Sequence, residues 1–142
     1  MSALYEADFV AWLTEQAGRL REARPNVIDW ENVAEELEGM GRAERHAVAS
    51  QLCRLMAHML KWRYQPKRRG RSWRLSILDS RDRIERLLED SPSLRNELPD
   101  MVAVEWPRAV RWAGNETGID RGAFPADCPW SLDEMLDADF LP

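Results

Sequence analysis

The sequence predicts an all-α fold, a single-domain bundle of four or five long helices plus a short C-terminal helix, spanning residues 1–142. Three observations predict it. Apolar residues recur at i, i+3, i+4 and i+7 along most of the chain, the spacing that lays one stripe on a helix. No stretch alternates apolar and polar residues over strand length, so no sheet is expected. The punctuation is also helical, with Asp or Ser-Pro where helices start and Gly or Pro where they stop.

The first helix is expected from Tyr5 to Arg24, with Phe9, Trp12, Leu13, Ala17 and Leu20 as its apolar stripe and Pro25 closing it. Glu6 and Asp8 near its start and Arg21 and Arg24 near its end complement the helix dipole. Asp29 is a good N-cap for a second helix faced by Trp30, Val33, Ala34 and Leu37. Gly39 reads as its C-cap, and Gly39-Met40-Gly41 as a short reversal into an antiparallel third helix over 42–64. That helix carries two adjacent stripes, Val48, Leu52, Leu55, Met56 and Met59 beside Ala49, Cys53, Ala57 and Leu60, as a central helix packed on two sides would. Gln51, Arg54, His58 and Lys61 form its polar face, and Pro66 ends it near Gln65.

Ser72 is expected to cap a fourth helix over 73–89, with Trp73, Ile77, Ile84, Leu87 and Leu88 inward. Ser91 and Pro92 open a fifth helical region reaching about 116, where Leu94, Leu98, Val102, Trp106, Ala109 and Ala113 keep helical spacing. Pro99 and Pro107 inside it predict a break near Leu98 and a kink near Trp106, and Gly118 ends it. Ser131 with Glu134 forms a capping box for the short last helix.

Charge is gathered in two blocks. The chain holds 20 basic and 25 acidic residues, a net −5. Residues 61–74, KWRYQPKRRGRSWR, hold seven of the bases (Lys61, Arg63, Lys67, Arg68, Arg69, Arg71 and Arg74), three aromatics and no acid, leaving a net −12 on the rest. Residues 29–38 hold five acids, Asp29, Glu31, Glu35, Glu36 and Glu38, and no base. A reversal at Gly39-Met40-Gly41 would bring the two blocks side by side; without it, a lone cationic surface remains and capture of a polyanion becomes the stronger reading.

Apolar content of 44% and charged content of 32% fit a globular chain, and its length suffices to bury a core without disulfides or metal. Cys53 and Cys128 form no CxxC pair, which suits a reducing compartment. MSALYEADF has neither the basic nor the apolar region of a signal peptide, and no apolar run is long enough to span a membrane, so a cytoplasmic protein is expected.

Three landmarks, LYEADFVAWL, HMLKWRYQPKRRGRSW and ETGI…FPADCPWSLDEMLDADFLP, stand in an order and spacing that resembles the bacterial family catalogued as domain of unknown function 29. The resemblance spans nearly the whole chain. It implies a small helical protein and brings no catalytic residue with it. Pro99 and Pro107 depart from the family's usual pattern in the fifth region.

Catalytic and metal chemistry find little footing. Neither His46 nor His58 has a Glu three residues before it, as the repeated Glu-x-x-His of helical metal sites requires, and the two lie about 120° apart around a helix. Both are expected on a polar surface. Cys53 lies mid-helix among Ala49, Ala57 and Leu60 as a buried small hydrophobe, and acids near Cys128 would raise its pKa. There is no nucleophile elbow and no Gly-rich phosphate loop. Glu35, Glu36 and Glu38 read as a solvated helix face, and Trp12, Trp30, Trp106 and Trp112 as core. No cofactor and no catalytic or metal residue is therefore expected.

The basic stretch admits three readings. Arg and Lys could neutralise phosphates while Trp62, Tyr64 and Trp73 stack on unpaired bases, although the −12 elsewhere would repel a polyanion. The stretch could pair with the acidic block, its Arg stems covering Trp62 and Trp73. Or Arg68, Arg69 and Arg71 could meet a carboxylate or phosphate on a partner. The function expected is a non-enzymatic helical binding or interaction domain that meets an acidic protein or small anion. Lys67, Arg68, Arg69, Arg71, Arg74 and Tyr64 are its expected contact residues. A nucleic-acid-associated regulator is the alternative, and a metal-dependent or hydrolytic enzyme comes third. Self-association as a homodimer could use the small residues Ala49, Cys53 and Ala57.

Overall fold

The computed structural model describes residues 3–23 and 28–142; Arg24 and Pro25, expected to end the first helix, lie outside them. The order is α1 (Ala3–Ala7), α2 (Phe9–Ala23), α3 (Trp30–Tyr64), α4 (Arg71–Asp90), α5 (Leu98–Thr117) and α6 (Leu132–Leu136), with 3-10 turns at Pro66–Arg68, Pro92–Glu97 and Arg121–Ala123. No strand occurs among the described residues. The all-α class, with four long helices and a short C-terminal one, is as the periodicity predicts. The chain divides into two compact units, Met1–Ala47 with Arg86–Asn96, and Val48–Glu85 with Glu97–Pro142. Helices α3 and α4 contribute residues to both.

In the first unit Val10, Leu13, Ala17, Ala34, Leu88 and Leu94 are buried. The predicted first helix is two. Asp8 interrupts it because its carboxylate caps α2, accepting the Ala11 N–H at 2.9 Å. The same carboxylate accepts the Ser93 N–H and hydroxyl at 2.5 and 3.0 Å, while Ser91 Oγ accepts the Val10 N–H at 3.2 Å. Asp8 is buried, and these bonds satisfy it.

The Gly39-Met40-Gly41 reversal does not form. All three residues lie inside α3, which runs unbroken for 35 residues. Gly41 is buried where α2 passes close: a Cβ there would meet Val10 at 3.9 Å and Leu13 at 4.0 Å. Those are ordinary contacts, so neither turn nor close approach requires a glycine there, and the one positive-φ glycine among the described residues is Gly118. Asp29 does cap α3, accepting the Asn32 N–H at 3.2 Å. Val33, expected on the apolar face, is exposed, whereas Ala34 is buried.

The consequence reaches the charge blocks. Glu31, Glu35, Glu36 and Glu38 lie in the first turns of α3, in the first unit, and Lys61 and Arg63 in its last turn, in the second. The acids find their partners within their own unit. Arg21 bonds Glu31 at 2.9 Å, lies 3.8 Å from Glu35 and pairs closely with Glu38, and Arg42 bonds Glu35 at 2.8 Å.

The second unit is built on the C-terminal half of α3, where Leu52, Leu55, Met56, Ala57, Met59 and Leu60 are fully buried together with Ile77, Ile84, Ala109, Ala113 and Met135. A helix buried nearly all round is the central helix that the double stripe predicts. Cys53 and Ala57 are buried inside the chain, and Ala49 is half-buried. Helix α4 begins at Arg71, so Ser72 is not its cap. The backbone changes from 3-10 to α at Leu98, Pro99 falls in the first turn of α5, and the helix continues through Pro107. Gly118, at φ 74°, closes α5 by donating its N–H to Gly114 O at 2.9 Å. Gly114 is tightly placed, since a Cβ would lie 3.3 Å from Ile119 O and from the Arg121 side chain. The C-terminal segment is then tied down by the Trp106 indole N–H on Pro125 O at 3.0 Å and by Arg81 Nε on Met135 O at 2.6 Å. The predicted Ser131–Glu134 capping box forms.

Candidate anion-binding corner

The corner is made by the last turn of α3, the segment 65–70 and the first two turns of α4. Pro66 stops α3 at Tyr64, a 3-10 turn over Pro66–Arg68 carries the chain round, and Gly70 O accepts the Arg74 N–H at 3.2 Å to open α4. Arg71, Arg74, Leu75 and Leu78 then fall at i, i+3, i+4 and i+7, one face of α4. With Trp62, Arg69 and Gly70 they line a groove of about 480 Å³. Leu75 is 50% exposed there. Lys67 and Arg68 do not line it. They border a separate shallow cleft of about 290 Å³ with Tyr64, Gln65 and Pro66. The six expected contact residues thus divide into Arg69, Arg71 and Arg74 on the groove and Tyr64, Lys67 and Arg68 on the cleft.

The seven bases have different surroundings. Lys61 is 6% exposed, pairs closely with Glu116, and lies over the Trp73 ring at 5.2 Å. That contact holds the Glu116 carboxyl below the ordinary range, with help from the Trp112 indole N–H at 2.8 Å. Arg69 donates to Trp62 O at 2.8 Å and stacks over the Trp62 ring at 5.3 Å. Among the described residues, Arg63, Lys67, Arg68, Arg69, Arg71 and Arg74 have no carboxylate partner. Arg71 and Arg74 also stand in the first turn of a helix that has no acid there, where the dipole disfavours cations.

The three aromatics of the stretch are engaged within the chain. Trp62 carries Arg69, Trp73 carries Lys61, and Tyr64 meets Phe124 edge-on at 5.0 Å and 82°. Trp62 still presents part of its ring to the groove.

His58 departs from expectation. It is 8% exposed, not on a polar surface, and its Nδ1–H donates to Arg54 O at 2.8 Å while its ring meets Trp112 edge-on at 5.7 Å. Burial pushes its pKa down, seconded by the charges of Lys61 and Arg54, and the Arg54 bond and Glu116 oppose this. His46 is exposed, as expected. Burial likewise pushes the Cys53 thiol up to about 11. For Cys128 burial leads and the Glu134 charge adds to the rise. No cluster of three or more His, Cys, Asp or Glu able to hold a metal occurs among the described residues. The groove lining itself contains guanidinium, indole and leucine groups and one glycine. Such a set can hold an anion against an apolar wall, and it supplies no acid, base or nucleophile matched to pH 7.

Leu75 and Leu78 escaped the sequence reading as site residues. The signal was present in the spacing of Arg71, Arg74, Leu75 and Leu78 on a face of α4 separate from its core residues Ile77 and Ile84.

No described helix is long and apolar enough to cross a membrane. A comparison with curated proteins finds no match. Among solved structures, the chain is similar to an alpha-helical protein of unknown function from Rhodospirillum rubrum. The identity is 27% and the TM-score 0.79, over 99% of this chain and 93% of that one. The family model described as domain of unknown function DUF29 matches residues 4–141, nearly the whole sequence, and the chain belongs to that family.

Proposed function

We propose that the protein is a non-enzymatic, cytoplasmic interaction domain whose basic corner captures an anionic partner, an acidic protein in the first place. The observation that carries this is the set of cations at 63–74 left without a carboxylate, three of which border one groove. Arg71 and Arg74 are exposed, have no carboxylate and stand against the dipole of their own helix, so they add little to folding and are available to a partner. Nucleic acid is the second reading. The separation of the acidic and basic blocks along α3 favours it, because it leaves the corner's charge uncompensated. Against it stands the engagement of Trp62, Tyr64 and Trp73 within the chain, which leaves less ring surface free for base stacking.

The test compares binding of a poly-glutamate peptide and of a single-stranded oligonucleotide to the wild type and to the Arg71→Ala/Arg74→Ala variant. The expected result is salt-sensitive peptide binding that falls about tenfold or more in the variant, with thermal stability nearly unchanged. A large fall in stability would make these arginines part of the fold. No binding of either probe at low salt would refute the proposal.

A further inference from the structure

The groove differs from a plain cationic surface in having an apolar floor. Trp62, Leu75 and Leu78 line it together with Arg69, Arg71 and Arg74, and Leu75 stays half exposed although α4 has a separate core face at Ile77 and Ile84. A site meant only for phosphate or a bare carboxylate gains nothing from two leucines and an indole. A free leucine beside guanidinium groups is the complement of an apolar side chain beside carboxylates. Resting on the reading of the corner as an anionic-partner surface, we infer that its ligand is an acidic protein segment with an apolar anchor, a Leu or Phe flanked by Asp or Glu.

The anchor enters between Leu75, Leu78 and the Trp62 ring, and the flanking carboxylates meet Arg69, Arg71 and Arg74. Desolvation by the anchor strengthens the charged bonds around it, since a guanidinium–carboxylate contact gains as water is excluded. The volume of about 480 Å³ accommodates one such side chain with its neighbouring backbone and not a folded domain. The division of the six contact residues follows from the same chemistry. Arg69, Arg71 and Arg74 act at the anchor, while Lys67 and Arg68, on the other cleft, act only through long-range attraction.

Two synthetic peptides test this, an Asp/Glu peptide with a central Phe-Leu pair and the same peptide with Ser-Ser in its place, titrated into wild type and Leu75→Ser. The expected result is about tenfold tighter binding of the Phe-Leu peptide by the wild type, or about 1.4 kcal/mol, and loss of that preference in Leu75→Ser. Leu75 is exposed, so this variant keeps the fold, and circular dichroism checks it. Equal binding of both peptides overturns the anchor while leaving the anionic-partner reading standing. A preference for the Phe-Leu peptide that Leu75→Ser leaves intact overturns the groove as its seat. Binding of neither peptide overturns both, and single-stranded oligonucleotide binding in that case would mark the corner as a nucleic-acid surface.

Discussion

The acidic start of α3 and the basic corner at its other end carry opposite charge at similar density, yet they are wired differently. Glu31, Glu35 and Glu38 are gathered by Arg21, with Arg42 also on Glu35. In the corner one base of seven, Lys61, has a carboxylate, and it is also the one that is buried. Charges that fold into a network serve the fold, and charges left exposed beside a groove are available to a partner. The comparison separates two kinds of cation inside a single stretch that looks uniform in sequence.

The largest expected effect comes from the exception. Lys61→Ala removes a buried ammonium, its bond to Glu116 and its cover over Trp73, and thermal unfolding should show a loss of about 2 kcal/mol. Arg71→Ala, a few residues on, should change stability by less than about 0.5 kcal/mol, or raise it slightly by relieving the dipole. The pH dependence should separate them further. The Glu116 carboxyl is held below its ordinary value, so the Lys61–Glu116 contact contributes stability above the unfolded value near 4.5 and loses it as pH falls through the folded one. The acid limb of a stability–pH profile should therefore be shallower in Lys61→Ala than in the wild type. Equal losses for Lys61 and Arg71 would erase the distinction.

The next effect has the opposite sign. Gly39 and Gly41 lie mid-helix, where Gly costs about 1 kcal/mol against Ala. An added methyl at Gly41 makes ordinary contact with Val10 and Leu13, and at Gly39 the near atom belongs to the movable Arg42 side chain. Gly39→Ala/Gly41→Ala should raise the melting temperature. A reversal at this position would be broken by the same change, so a fall would restore the meeting of the two charge blocks and remove the contrast between them. Smaller again is Arg21→Ala. Loss of this hub leaves Glu31, Glu35 and Glu38 on one helix face with less compensation, at about 1 kcal/mol in a network that is partly exposed. Added salt should recover part of that loss.

Much of the fold was legible because helices announce themselves by period and by end signals. Asp29, Pro66, Gly118 and the Ser131–Glu134 box act where their chemistry says they should. Glycine was misread because two glycines near a polar run look the same whether they turn a chain or lie inside a helix, and what holds Gly41 in α3, the burial against Val10 and Leu13, lies about thirty residues away in sequence. Asp8 hid a helix break for a similar reason, since its partner Ser93 is remote. Of the corner, the charge was visible and the groove was not. Ile77 and Ile84 were legible as the core face of α4, but Leu75 and Leu78, outside that face, were given no role, because a groove depends on what the segment before α4 brings beside them.

His58 gives the subtlest test of the contrast, because it adds a titratable group one turn before the buried Lys61. Its pKa is lowered from 6.5, first by burial and then by Lys61 and Arg54, whose charges oppose a proton there more than Glu116 favours it. The folded state thus holds His58 neutral where the unfolded chain has begun to protonate it. Below the unfolded value the unfolded state binds more protons, so stability must fall as pH drops from 7 through 6.5 and level off once the folded pKa is passed. His58→Gln, which can keep a donor toward the Arg54 carbonyl, should flatten this segment of the profile while leaving the acid limb due to Glu116 in place. In the Lys61→Ala variant the His58 step should shrink and move upward, since one of the charges holding the proton off is gone. A step unmoved by Lys61→Ala would mean that burial alone sets it, and that Lys61 is paired with Glu116 so completely that its charge no longer reaches its neighbour.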